Sequence, residues 1–175
     1  MTAKIIKFPI SKIYKEKSLY YYNEALKIDT NLDYLNTAIH YYNKSIEYNN
    51  EFDFAHTNIG NCYFTQKNYD KAEYHYDEAL KINATQFEAL YNKGYCLLKK
   101  NKLDEAILYF NESLKYNKYY IDIYYNLAII YNLKNLKYKA IENYKIYLSL
   151  SNNENNYFIM YAKKYIEENF IKKIK

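Results

Sequence analysis

Chain breakers are almost absent from this sequence: 175 residues hold 2 Gly and 1 Pro, and there is no Trp and no Arg. A β-sandwich needs Gly or Pro at most of its hairpins, and collagen-like, proline-rich or Gly/Ser-linker proteins need far more of both. The chain is therefore expected to be all-α. No apolar run approaches the ~20 residues that span a bilayer, and Met1–Ile10 lacks the apolar stretch of a secretory signal. A cytoplasmic location with no membrane partner is the expectation. Two cysteines, Cys62 and Cys96, are too few for a disulfide framework. Three scattered His, with no close pair on one helix face, argue against a metal site.

What the chain does hold is tyrosine and asparagine, 27 and 23 residues, so the core must be partly aromatic. The net charge of +5 sits at the ends. Residues 1–17 carry 5 Lys and 1 Glu, residues 18–154 carry 15 Lys against 17 acids, and residues 155–175 carry 5 Lys and 2 Glu. Exclusive use of Lys among the strong bases fits an AT-rich coding sequence.

A period of 34 organises the middle of the chain. Gly60, Gly94 and Ala128 stand 34 apart, as do Ala38, Ala72, Ala106 and Ala140. Tyr42, Tyr76, Phe110 and Tyr144 form an aromatic column, and Ile46, Leu80, Leu114 and Leu148 an aliphatic one. Ala25 heads the first copy, with one residue added in its turn. Four units follow at 18–52, 53–86, 87–120 and 121–154, preceded by a basic tail and helix start over 1–17 and followed by a capping helix over 155–175. Apolar residues at Ala72, Tyr76, Ala79 and Leu80 trace the stripe of an amphipathic helix, and two such helices fit in each unit. Small residues on both let the backbones approach, and the aromatic residue four after the second Ala is expected to fill the space toward the next unit.

Ile59-Gly60, Tyr63, Ala72, Tyr76 and Ala79 in one unit, and Leu90, Gly94, Leu97, Ala106 and Phe110 in the next, resemble the tetratricopeptide repeat, a 34-residue helix-turn-helix. The resemblance covers about 137 of the 175 residues. It implies a right-handed superhelical solenoid closed by the C-terminal helix, on which Phe158, Tyr161, Ala162, Tyr165, Ile166 and Phe170 form one stripe. There are departures from the family pattern. Tyr21, His56, Leu90 and Tyr124 stand in the Trp column, Lys93 takes a Leu place, and Asn50, Ala84, Lys118 and Asn152 replace the closing Pro. Asn49, Asn83 and Asn117 are expected to end helices in the left-handed conformation instead, and Ser11 to cap the first helix.

Catalytic patterns are missing: two Gly 34 residues apart cannot make a phosphate-binding loop, and neither G-x-S-x-G nor H-E-x-x-H occurs. Neither an enzymatic activity nor a cofactor is expected. Asp77-Glu78 and Asp104-Glu105 are read as solvated or helix-start carboxylates, Cys62 and Cys96 as buried small hydrophobes, His56 as an interfacial filler, and His40 and His75 as near solvent.

The candidate site is a column on the first helices, Asn23, Asn58, Asn92 and Asn126, preceded by Tyr22, Thr57, Tyr91 and Tyr125. The resemblance implies that these helices line a concave groove where such an Asn contacts an extended peptide backbone, for which an amide supplies both donor and acceptor. The same Asn also serves helix packing in that family. Of the carboxylate clamp some members carry, only Asn58, Asn61 and Asn92 are present, with Tyr22, Glu88 and Asp122 at the basic places. Tyr91, Tyr95 and Tyr125 would instead form an aromatic wall. The expected function is a protein-interaction scaffold that binds a partner peptide or helix, but not an acidic C-terminal tail. Nucleic-acid binding through the Lys-rich ends is the alternative, disfavoured by the net acidic repeats. Self-association through the end helices is left open.

Overall fold

The structure, a computed structural model, describes residues 10–151 and 156–171. The tail before Ile10, Asn152, the start of the 155–175 segment and the side chain of Phe170 lie outside the described residues. Four helical hairpins run in order: α1 (Ile10–Leu26) with α2 (Leu35–Tyr48), α3 (Asp53–Thr65) with α4 (Tyr69–Ile82), α5 (Phe87–Lys99) with α6 (Leu103–Leu114), and α7 (Ile121–Leu133) with α8 (Lys137–Leu150). The last helix, α9 (Tyr157–Ile171), packs on α8. Each helix packs on the next in the chain, and α3 also meets α5, and α5 meets α7, so α3, α5 and α7 form one layer. The fold is the expected all-α solenoid of helix-turn-helix repeats with a C-terminal capping helix. Ser11 lies inside the first turn of α1 and so is not its N-cap.

The turns within and between hairpins use different chemistry. Within them, Lys67, Asn101 and Asn135 adopt φ of 60°, 58° and 58°. Each sits in a closing motif in which the next residue's N–H returns to the carbonyl five back: Asn68 to Tyr63, Lys102 to Leu97 and Leu136 to Tyr131. Between hairpins the expected left-handed asparagines are absent. Asn49 and Asn83 are extended, with φ of −149° and −137°. Their side-chain oxygens, like that of Asn117, accept from the N–H two residues on, at 3.3, 3.2 and 3.2 Å. The asparagine thus closes the junction through its side chain, and its backbone stays in a region open to any residue. The longer first turn holds a single 3-10 turn, Leu32–Tyr34, capped by Asn31.

Packing follows the small-residue columns. Ala25, Ala38, Ala72, Ala106, Ala128 and Ala140 are fully buried. The aromatic column covers the glycine of its own hairpin as well as packing toward the next unit, where Phe110 meets Ile123, Leu127 and Ile130. A Cβ on Gly60 would stand 2.5 Å from the Tyr76 ring, and one on Gly94 would stand 3.0 Å from Phe110. Tyr76 reaches the following hairpin as well, through Cys96. A polar bridge then repeats between hairpins: Gln66 to Asn36 at 2.9 Å, Lys100 to Asp70 at 2.6 Å and Lys134 to Asp104 at 2.6 Å. The amide pair of the first junction becomes an ion pair at the next two.

On α9 the buried residues are Ile159, Ala162 and Tyr165, with Tyr161 and Ile166 beside them. Phe158, expected on that stripe, is 47% exposed and turns elsewhere. Tyr165 donates to the Asn132 side chain at 2.8 Å and fixes the cap on α7.

Candidate functional site

The layer of first helices presents one face built at helical spacing: Asn58, Asn61 and Thr65 from α3, Tyr91, Asn92 and Tyr95 from α5, and Asp122, Tyr125 and Asn126 from α7. Two recesses share this face. One of about 290 Å³ is lined by Asn61, Phe64, Thr65, Tyr76, Tyr91, Asn92 and Tyr95. The other, of about 260 Å³, is lined by Tyr91, Tyr95, Asp122, Tyr125, Asn126, Tyr147 and Phe158. Tyr91 and Tyr95 form the partition, their rings nearly parallel at 7° with centroids 6.4 Å apart. Of the candidate residues, Asn61, Tyr91, Asn92, Tyr95, Tyr125 and Asn126 line these recesses. Tyr22, Asn23 and Asn58 do not.

Tyr22, Thr57 and Tyr91 each pack on the N-cap residue of the next hairpin's first helix. Tyr22 lies 4.7 Å from Phe52, Thr57 donates to the Gln86 side-chain oxygen, and Tyr91 lies 4.8 Å from Tyr120. Asn23 is exposed on α1. Asn58 is enclosed in contacts, for its Nδ2 donates to the hydroxyls of Tyr22 at 3.1 Å and Tyr42 at 3.2 Å. Its Oδ1 accepts from Asn61 at 3.4 Å. The Oδ1 of Asn61 in turn accepts from Tyr76 and Asn92, at 2.9 and 2.8 Å. Tyr42 completes the chain by donating to Asp29.

Burial raises the hydroxyl pKa of Tyr91, and the carboxylate of Asp122 adds to it. Burial pushes Tyr125 up to about 12. These hydroxyls therefore keep their protons near neutral pH and serve as donors and acceptors. After burial, nearby carboxylates add to the rise, Asp29, Asp53 and Glu88 at Tyr22 and Asp122 at Tyr120 and Tyr147.

Sequence reasoning missed Phe64, Tyr147 and Phe158 as lining residues. Tyr147 comes from α8 and Phe158 from the cap, outside the first-helix column. Tyr76 was legible only as packing, although its hydroxyl emerges beside Asn61. His75, expected near solvent, turns inward: its Nδ1 lies 3.3 Å from that of His56, and its ring stacks on Tyr63. Lys93 is buried in its Leu place, with its ammonium on Asp77 and, at 2.7 Å, on the Tyr109 hydroxyl. Cys62 and Cys96 are free and buried, and burial pushes their thiols up to about 12 and about 11. Among the described residues, no three His, Cys, Asp or Glu could hold a metal ion, and no helix is long and apolar enough to cross a membrane.

Two family models described as tetratricopeptide repeat match residues 54–86 and 75–108. No curated protein matches the chain. Among solved structures, MamA (41-end) from Desulfovibrio magneticus RS-1 aligns with a TM-score of 0.71 at 20% identity, covering 78% of this chain and 76% of its own. The first tetratricopeptide repeat of Spaghetti (RPAP3), bound to the HSP90 peptide SRMEEVD, aligns with a TM-score of 0.65 at 21% identity, covering 69% and 95%. At these identities the structural likeness shows the fold, and the repeat models supply the sequence pattern that builds it. Residues 54–108 thus match the tetratricopeptide repeat, and the chain has the fold of tetratricopeptide-repeat proteins.

Proposed function

We propose that the protein is a non-catalytic interaction module whose first-helix face holds an extended segment of a partner protein. One observation carries this reading: two contiguous recesses, divided only by Tyr91 and Tyr95, with an asparagine in each, Asn92 and Asn126. Successive side chains of an extended segment point to opposite sides, so alternate ones can fill the two recesses while the amides meet its backbone. Protonated tyrosines offer large contact area at small entropic cost.

The same face argues against the ligand of the Spaghetti neighbour. Glu88 and Asp122 stand exposed where a carboxylate clamp needs bases, and like charges facing each other repel. Selection from a random peptide library on the immobilised protein tests the reading. Peptides that compete for one site, and that lose affinity with Asn92→Ala plus Asn126→Ala while the helical circular dichroism is retained, support it. Selected peptides that bind this double variant unchanged would overturn it. SRMEEVD itself should show no binding by calorimetry, and nanomolar affinity would refute the exclusion of acidic tails.

A further inference from the structure

We infer that the second recess is a cation pocket, which takes a lysine or arginine side chain of the bound segment. This rests on the groove reading above but adds a chemistry to it. The walls are aromatic on several sides: Tyr91, Tyr95, Tyr125, Tyr147 and Phe158 all line the recess, with Asp122 at its rim. The rings stand at angles to one another. Tyr125 meets Phe158 at 5.1 Å and 72°, and Tyr147 at 5.2 Å and 55°. The recess is thus bounded by rings in different planes, as an enclosing cage requires, and not by one flat stack.

Ring faces carry negative potential, and a cation within ~6 Å of a centroid is attracted to them, more so where water is excluded. The Tyr95 ring already holds the Lys99 ammonium, 5.0 Å from its centroid, so the cation is placed on the far side of the recess, among Tyr125, Tyr147 and Phe158 beside Asp122. A carboxylate beside the cage adds a hydrogen-bonding counter-charge. Asp122 is exposed, and none of the ion pairs among the described residues uses it. The other recess is also walled by rings, those of Phe64, Tyr76, Tyr91 and Tyr95, but it has no carboxylate on its lining, only the amides of Asn61 and Asn92 and the Thr65 hydroxyl beside them. A segment reading both would therefore place an uncharged side chain toward α3 and a cation toward the cap.

Nuclear magnetic resonance titration reads the pocket without any partner. The probes are Nα-acetyl-lysine methylamide, its Nζ-trimethyl form, and the neutral isostere Nα-acetyl-norleucine methylamide. The cationic probes should shift the backbone amides of Tyr125, Asn126 and Phe158, and norleucine should need roughly tenfold more for the same shift. Asp122→Asn and Phe158→Ala change exposed side chains, so the fold should be kept; each should weaken the lysine probe about three- to tenfold. Norleucine binding as tightly as lysine, or Asp122→Asn binding lysine like the wild type, would overturn the pocket. Library peptides that need the groove asparagines but carry no base and ignore Asp122→Asn would overturn the pocket and leave the groove reading standing. Cation shifts without any selected peptide would do the reverse.

Discussion

The side-chain amide of Asn92 donates to the Oδ1 of Asn61 at 2.8 Å, joining the third hairpin to the second across the face that lines the recesses. That bond uses one of the four hydrogen-bonding positions of Asn92. Asn58, one repeat earlier in the same column, has both N–H groups and its oxygen engaged by Tyr22, Tyr42 and Asn61. One sequence column therefore contains a structural amide and a largely available one.

Asn58→Ala should lower stability by about 1–3 kcal/mol, because it strips partners from half-buried hydroxyls, whereas Asn92→Ala should cost less and act mainly on ligand binding. Urea denaturation of the two variants checks the order. Equal losses would assign both amides to packing.

Alanine at the two glycines should act with different severity. Either substitution gains ~1 kcal/mol of helix propensity, against which an overpacked core loses about 1–3 kcal/mol. At Gly60 the new Cβ meets Tyr76 at 2.5 Å, so the loss wins and the melting temperature falls. At Gly94 the contact with Phe110 is 3.0 Å, and the two effects should nearly cancel. Thermal melts that rank Gly94→Ala as the more damaging would contradict this packing.

Acid should weaken the fold through the His56–His75 pair. Burial holds both imidazoles neutral, and for His75, which His56 also opposes, the pKa falls from 6.5 to about 4. At pH 7 neither state is charged. Between 6.5 and about 4 the unfolded chain takes up protons that the folded chain refuses, so stability present above 6.5 is lost as pH falls. Glu78 opposes the shift and Lys71 adds to it. His75→Phe should flatten the stability profile over that window, as read by denaturant midpoints at pH 7 and pH 5; an unchanged slope would refute the assignment.

Lys93→Met should leave stability unchanged or raise it, since it removes a buried charge, fills its place with an apolar side chain and leaves only Asp77, 42% exposed and open to water, without its partner. Asp77→Ala should be worse, because it leaves the Lys93 ammonium buried beside Tyr109 with its carboxylate gone. The two denaturation midpoints decide between these outcomes.

Much of this architecture was legible in advance because spacing along a helix is spacing in space. Gly60, Gly94 and the alanine columns had to be small and internal once the period of 34 was seen, and their burial follows from that register. The groove was legible only in part. Asn61, Tyr91, Asn92 and Tyr95 belong to neighbouring helices at fixed offsets, so their meeting could be anticipated from the resemblance. Tyr147 and Phe158 come from α8 and α9, and no column relates them to α7.

Composition and period thus determined a solenoid of helical repeats and which small and aromatic columns are buried in it, because those depend on local backbone preference and a regular repeat. The inner face of the first helices followed only from the family resemblance. Only the tertiary structure decided which asparagines are already engaged, that His75 turns onto His56, and that Phe158 leaves the cap's buried stripe to wall a recess with Asp122. Those outcomes depend on side-chain directions between elements that are distant in the chain, where hydrogen bonding and burial compete over a few ångströms.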